Sequence, residues 1–299
     1  MIKRTLLFSN PAYLSTKNEQ LVVSYPNNEQ QEKIVPIEDI GIVVIEHRQV
    51  TLTNALINKL TIQKTALVCC DERHMPTGLL LPLSGHTEYT ERLKYQLDAS
   101  QPLKKNLWAQ TVSAKIINQA GLLAERGGEV ENMMYMAKNV QSGDKGNHEA
   151  RAAAYYWQRL FDMDDYNRDP FGMPPNNLLN YGYAILRAIT ARSLVSSGLL
   201  PAMGIWHRNK YNAYCLADDI MEPYRPYVDL VVCHLTENLD DISELTTEIK
   251  SELLQVAAID VVLEGKTSPL MVAMSRTTNS LFDCFAGNSR KILYPVYGS

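Results

Sequence analysis

The sequence predicts an α+β protein, with a small β-rich N-terminal domain followed by a larger all-α domain. Three observations carry that prediction. Apolar residues in the first ~80 positions fall in short β-branched stretches with a period nearer 2 than 3.6. Two punctuating clusters, Met75-Pro76-Thr77-Gly78 and Pro82-Leu83-Ser84-Gly85, then mark a change of character. Beyond them the period is helical to the end of the chain. The boundaries that follow are 1–78 for the β-rich domain, 79–88 for a hinge and 89–299 for the helical domain.

Taken in order, Thr5 to Phe8, Gln20 to Tyr25 and Lys33 to Pro36 read as short strands between turns at Ser9-Asn10-Pro11 and Pro26-Asn27-Asn28. Ile40-Gly41-Ile42-Val43-Val44-Ile45 is a continuous run, as expected of a strand buried on both faces. Thr53 to Leu60 reads as a short helix and Thr65 to Cys70 as a second buried strand. Helices are then expected over Tyr89 to Leu97, capped by Thr87, and over Leu107 to Arg126, ended by Gly127-Gly128. Others cover Val130 to Val140, His148 to Phe161, Asn177 to Ser197, Asn212 to Glu222, Tyr227 to His234, Glu244 to Val256 and Ser268 to Ala286.

With 299 residues and 45% apolar content, the chain can bury a sizeable core. The net charge of −4 does not advertise a nucleic-acid binder, so any DNA contact must come from a local basic patch or a surface shared with a partner. Five cysteines without CxxC spacing argue against a zinc cage or a disulfide framework, and are expected as buried thiols. The N-terminal apolar run is too short for a signal peptide. No run approaches the roughly 20 residues needed to cross a bilayer. A soluble, cytoplasmic protein is expected.

Three segments of the helical domain hold candidate chemistry. Glu149 lies in the first turn of a helix rich in small and aromatic residues. The helix dipole alone accounts for a carboxylate there; the small neighbours would equally let a second helix approach to share a metal. His207, in Gly204-Ile205-Trp206-His207-Arg208-Asn209-Lys210, is either a hydrogen-bonded core or surface histidine or a ligand. Asp218, Asp219 and Glu222 cluster acids on an otherwise apolar helix, at spacings where like charges repel. That cluster calls for a cation, either a metal or the neighbouring Arg225. Two carboxylates and one imidazole suit Mg²⁺ or Mn²⁺ and match structural zinc poorly.

At these residues the chain resembles the CRISPR adaptation integrases, the Cas-one family, along its whole length. The resemblance rests on the helix start at Glu149, on Gly204-Ile205-Trp206-His207, and on Leu216-Ala217-Asp218-Asp219-Ile220-Met221-Glu222-Pro223-Tyr224-Arg225-Pro226 with Val228-Asp229. Asn177-Leu178-Leu179-Asn180-Tyr181-Gly182-Tyr183-Ala184-Ile185-Leu186 and Pro36-Ile37-Glu38-Asp39-Ile40-Gly41 add to it. It implies metal ligands at Glu149, His207 and Glu222, with Asp219 as an additional catalytic acid. Ile205-Trp206 before the histidine and Arg208 after it depart from the Phe-Leu and acidic residue of many members, in the style of type II systems.

The resemblance further implies a homodimer joined through the N-terminal domain, with two dimers flanking a Cas-two dimer. Such complexes hold a short DNA duplex whose 3′-hydroxyls attack phosphodiesters of the CRISPR array. The type II effector nuclease and accessory adaptation proteins are possible further partners. Arg208, Lys210, Arg225 and Arg92 are candidate phosphate contacts, and Arg187, Arg192, Arg276, Arg290 and Lys291 further ones; each has an ordinary alternative as a solvated or paired charge. Tyr155, Tyr156 and Trp157 are expected in the core. Two other functions are weighed beside integration: a metal-dependent repair nuclease using water, and a non-catalytic assembly protein whose acids pair with Arg208 or Arg225.

Overall fold

A computed structural model describes residues 3–26, 31–163 and 166–298. The N-terminal region holds β1 (Arg4–Phe8), β2 (Ala12–Lys17), β3 (Gln20–Ser24), β4 (Lys33–Pro36), β5 (Ile40–Ile45), β6 (Val50–Leu52), α1 (Asn54–Ile62), β7 (Ala66–Cys70) and β8 (Pro76–Leu80). These form two four-stranded sheets, ordered β1-β5-β7-β8 and β4-β3-β2-β6. In the first, β1, β5 and β7 are parallel and β8 returns antiparallel.

The run read as a strand buried on both faces is central strand β5, and its pleat explains the pattern. Ile42 and Val44, with Ala66 and Val68 of β7, enter the large core that continues into the helices. Val43 and Leu67 point the other way, into a smaller core closed by the second sheet and α1. Sheet β1-β5-β7-β8 is thus the wall between two cores.

Several expectations needed correction here. Strand β2 falls where no strand is predicted, although buried Ala12 and Leu14 alternate with exposed Tyr13. Its tight turn into β3 uses Asn18 and Glu19, both left-handed (φ 50° and 58°), and only the asparagine is a usual residue for that. Strand β6 is three residues long and leaves no period to detect. Pro76-Thr77-Gly78 is not a break but the start of edge strand β8, where a proline is tolerated. The expected turn residues Asn27 and Asn28 lie outside the described residues.

The second region holds α2 (Tyr89–Asp98), α3 (Gln101–Glu125), α4 (Glu131–Lys138), α5 (His148–Leu160), α6 (Asn176–Ser196), α7 (Cys215–Met221), α8 (Arg225–Asn238), α9 (Thr247–Leu254) and α10 (Leu270–Phe285). It is not all-α. Strands β9 (Asp260–Leu263) and β10 (Lys266–Pro269) pair as a hairpin before α10. Glu264 and Gly265, both at positive φ, make its two-residue turn. Helix α3 begins six residues before the expected Leu107, because Ser100 accepts from the Leu103 amide at 3.4 Å and Pro102 sits in the first turn. Thr87 caps nothing; the residue before α2 is Glu88, without a side-chain cap.

Helix α6 runs through the centre of the core, buried along most of its length. Gly182 lets α8 lie against it: a Cβ there would stand 2.4 Å from Val228 Cγ1. The two regions are also tied by polar contacts. Glu46, at the end of β5, pairs with Lys250 of α9 and lies 2.6 Å from His74 Nδ1. Arg192 donates to the Lys64 carbonyl at 2.6 Å. Among the described residues no helix is long and apolar enough to cross a membrane. All five cysteines are free thiols; Cys215, Cys233 and Cys284 are buried as expected, whereas Cys69 is exposed.

Candidate active site

Two of the expected residues, Glu149 and Glu222, converge on Lys115 where α3, α5 and α7 meet. Glu149 opens α5, and that start is set by Asp144, whose carboxylate accepts from the amides of His148 (3.0 Å) and Glu149 (2.9 Å). Asp144 thus takes the capping role, while Asn147 turns the chain at φ 51° and makes no side-chain cap. The Glu149 carboxylate is left to accept from Lys115 Nζ at 2.8 Å. Glu222 ends α7 at a 3₁₀ turn, Glu222–Tyr224, in which Pro223 cannot extend the α-helical ladder. Its side chain is 6% exposed, with Oε2 2.7 Å from Lys115 Nζ and Oε1 2.9 Å from Arg225.

His207 lies in the loop between α6 and α7, and Asp219 holds it there. Asp219 is fully buried; it accepts from the amides of Trp206 (2.9 Å) and His207 (3.3 Å) and stands 2.5 Å from His207 Nδ1. A carboxylate only accepts, so Nδ1 carries the proton and the outward nitrogen is Nε2. Trp108 of α3 presses edge-on to the imidazole, 5.5 Å between ring centres, and stacks in parallel on Trp206. Asp219 therefore orients the histidine and does not itself face the cation between the glutamates. Asp218, its neighbour, points elsewhere, to Arg187 (2.6 Å) and Asn212 (2.7 Å).

The charges are mutually dependent. Burial pulls the pKa of Lys115 down, but Glu222 and Glu149 outweigh it and the net shift is upward. Burial likewise pushes Glu222 up, and Arg225 and Lys115 return it below its ordinary range. His207 is raised, chiefly by its hydrogen bond to Asp219 and against the effect of burial.

The two glutamates thus converge on one cationic point, their charges also act on His207, and among the described residues no hydrogen bond engages its Nε2. The donor types suit Mg²⁺ or Mn²⁺. The cation between the carboxylates is nevertheless Lys115, and among the described residues no three His, Cys, Asp or Glu side chains stand close enough together to share an ion.

The expected phosphate contacts divide. Arg208 donates to Gln101 at the start of α3, and the pKa of Lys104 is lowered by burial and then by the charge of Arg208, so two cations sit together. Lys210 lies 4.8 Å from the ring centre of exposed Tyr211. Arg225 is engaged: it pairs with Glu222 and lies 4.8 Å from the Tyr183 ring centre. Arg92 is engaged too, with Glu88 (3.3 Å), the Ser197 carbonyl (3.1 Å) and the Phe282 ring (3.9 Å). Of the further candidates, Arg187 pairs with Asp218, Arg192 bonds Lys64, and Arg276 pairs with Glu264 at 2.7 Å. Tyr156 is buried as expected, donating to Asp229, with Tyr155 and Trp157 packed around it.

Lys115, Asp144 and Trp108 escaped the sequence reading. A signal existed for Lys115. It falls on the inward stripe of α3, in step with Trp108, Thr111 and Val112, where a lysine requires an anionic partner.

Comparison with known proteins adds an independent line. Residues 5–254 match the family model described as CRISPR associated protein Cas1. A CRISPR-associated endonuclease Cas1 of Neisseria meningitidis serogroup C is 39% identical over 282 residues, covering 94% of this chain and 91% of that protein. Among solved structures, a casposase bound to integration product superposes with a TM-score of 0.78 at 20% identity, over 98% of this chain and 92% of that one. A chain of a Cas6-RT-Cas1–Cas2 complex gives 0.74 at 17% identity, over 99% of this chain and 36% of that one. At those identities the structural likeness shows the fold.

Proposed function

This chain belongs to the Cas1 family, and from that premise we propose that it is a metal-dependent DNA integrase of CRISPR adaptation. The observation that carries the reading is the convergence of Glu149 and Glu222 on one cationic point beside His207, whose Nδ1 is fixed by Asp219. The casposase with the same fold, bound to integration product, supports strand transfer as the reaction class.

Glu149, Glu222 and Nε2 of His207 would hold Mg²⁺ or Mn²⁺. Such an ion polarises a phosphoryl oxygen and lowers the pKa of an attacking hydroxyl. This chain's own groups prepare the site. Asp219 keeps the proton on Nδ1, so the Nε2 lone pair faces outward. Trp108 fixes the ring against rotation, and Arg225 anchors one oxygen of Glu222. The reaction exchanges phosphodiesters. A 3′-hydroxyl oxygen of a short foreign duplex bonds to phosphorus in the array, the bond to the array's own 3′-oxygen breaks, and that oxygen leaves as a new hydroxyl. Bonds made and broken are alike, so no nucleotide is consumed. Holding the 3′-end in line with the scissile phosphate supplies much of the acceleration.

In this reading residues 1–78 join a homodimer, and two dimers flank a dimer of Cas2 around the duplex. Arg208, Lys104 and Lys210 beside the site then meet phosphate. A type II effector nuclease is a further partner. The test is joining of a 3′-OH duplex to a supercoiled array plasmid in the presence of Cas2, comparing wild type with His207→Ala, with and without Mn²⁺. Metal-dependent joining that the mutant loses is expected. Joining that persists when the 3′-ends are blocked refutes it.

The name of the Neisseria relative, an endonuclease, favours one second reading. The same residues would serve hydrolysis, with water as the nucleophile. Cutting of branched DNA in preference to joining selects that alternative.

A further inference from the structure

We infer that Lys115 is a resident counter-ion that competes with the divalent metal, so that metal enters only by displacing its ammonium from between Glu149 and Glu222. The inference rests on the metal site proposed above and goes beyond it.

The geometry points to competition. Lys115 Nζ lies 2.8 Å from Glu149 Oε1 and 2.7 Å from Glu222 Oε2, and so bridges the two carboxylates. The other oxygen of Glu222 is taken by Arg225 at 2.9 Å. Both oxygens of Glu222 are therefore taken, and a metal drawing on that carboxylate must use an oxygen that Lys115 or Arg225 holds. The charge count agrees. Two carboxylates face two cations, Lys115 and Arg225, so the cluster is already neutral. A divalent ion added beside Lys115 would be repelled at close range in a buried setting.

The two cations are not equivalent. Arg225 is packed against the Tyr183 ring and held by its planar fork, and it pairs with the Glu222 oxygen that Lys115 does not hold. Lys115 carries a flexible four-carbon stem and a single point charge. Lys115 is no more exposed than Arg225, with 11% of its side chain accessible against 28%, and what distinguishes it is the freedom of its stem. It is the group able to swing out. In the metal-free chain it prevents the carboxylates from repelling each other; when metal arrives it yields. Metal affinity is thereby set by the chain itself, as the difference between holding a monovalent and a divalent cation.

The experiment measures Mn²⁺ binding by calorimetry, and thermal stability in EDTA and in Mn²⁺, for wild type, Lys115→Met and Lys115→Arg. Lys115→Met is expected to lower the Kd for Mn²⁺ at least about tenfold. It is also expected to melt about 5 °C below wild type in EDTA and to regain that loss in saturating Mn²⁺. Lys115→Arg, which keeps the charge, stays near wild type in affinity. A Lys115→Met variant that is folded only with Mn²⁺ supports the inference. If it folds in neither condition, Lys115→Gln is judged by the same criteria. Wild-type binding with no gain in the neutral variant overturns this inference alone and leaves the metal site standing. No Mn²⁺ binding by any variant overturns both.

Discussion

Replacing Asp219 by asparagine removes one charge and reverses one hydrogen bond, and the consequence for His207 follows from geometry. In the native chain Oδ2 accepts from the Trp206 amide at 2.9 Å, and Oδ1 accepts from His207 Nδ1 at 2.5 Å and its amide at 3.3 Å. Asparagine offers a single acceptor oxygen, and its NH₂ must face one of these groups. Facing the Trp206 amide would set donor against donor at full burial. The arrangement that keeps the shorter 2.9 Å bond to Trp206 turns the NH₂ toward Nδ1 and gives up the longer 3.3 Å contact with the His207 amide. Nδ1 then becomes an acceptor, the ring proton moves to Nε2, and Nε2 loses the lone pair it would offer a metal. Partners of this kind are worth about 10–100-fold in metal affinity. A wrong tautomer at a catalytic histidine costs up to about 10⁴ in rate. We therefore expect Asp219→Asn to weaken Mn²⁺ binding at least about tenfold and to reduce joining by about 10²–10⁴. Loss of a charged hydrogen bond should also cost about 1.5–3 kcal/mol of stability. Nitrogen-15 NMR of the imidazole reports the tautomer directly, alongside calorimetry and the joining assay. A variant that keeps the proton on Nδ1 and binds Mn²⁺ like wild type refutes the assigned role of Asp219.

Three further outcomes are expected. Gly204→Ala should fold yet lose about 10²-fold in joining rate, because the new Cβ would lie 2.4 Å from the His207 carbonyl oxygen and 2.8 Å from Asp219 Oδ2; unchanged kinetics would show that the loop absorbs it. Lys250→Met leaves a Glu46 carboxylate only 4% exposed with His74 as its remaining partner and should cost about 3 kcal/mol, with Glu46→Gln in the same chain restoring part of it in a denaturation cycle. An additive double mutant would mean that the pair does not tie the sheet to α9. Burial raises Asp229 to about 6, even with Tyr183 and Tyr156 donating to it, so the folded chain holds this proton after the unfolded chain has lost it. Its contribution therefore falls as pH rises from about 4 to 6 and is level above, by about 3 kcal/mol at 1.36 kcal/mol per pKa unit. The wild-type minus Asp229→Asn difference in denaturant stability should slope in that window and nowhere else.

Much of this molecule was legible from local pattern. The continuous run at 40–45 announced a strand covered on both faces, and the long apolar period of α6 announced a central helix, since both signals come from neighbours along the chain. The site residues were legible as chemical types in order. Glu149 starts a helix, and Asp219 and Glu222 sit one turn apart on another. What escaped was short or non-local. Strand β6 has three residues, and the hairpin β9–β10 is held by a Glu-Gly turn and by pairing rather than by hydrophobic alternation. The division of labour within the site could not be read either. Only packing shows that Asp219 faces His207 and Asp218 faces Arg187, because adjacent helix residues diverge by about 100°. Only packing brings Lys115, 34 positions before Glu149, between two carboxylates. Local pattern thus specifies the longer elements and the chemical groups they carry. Which charges meet is settled by packing, because an ion pair depends on distances between elements that no local period encodes.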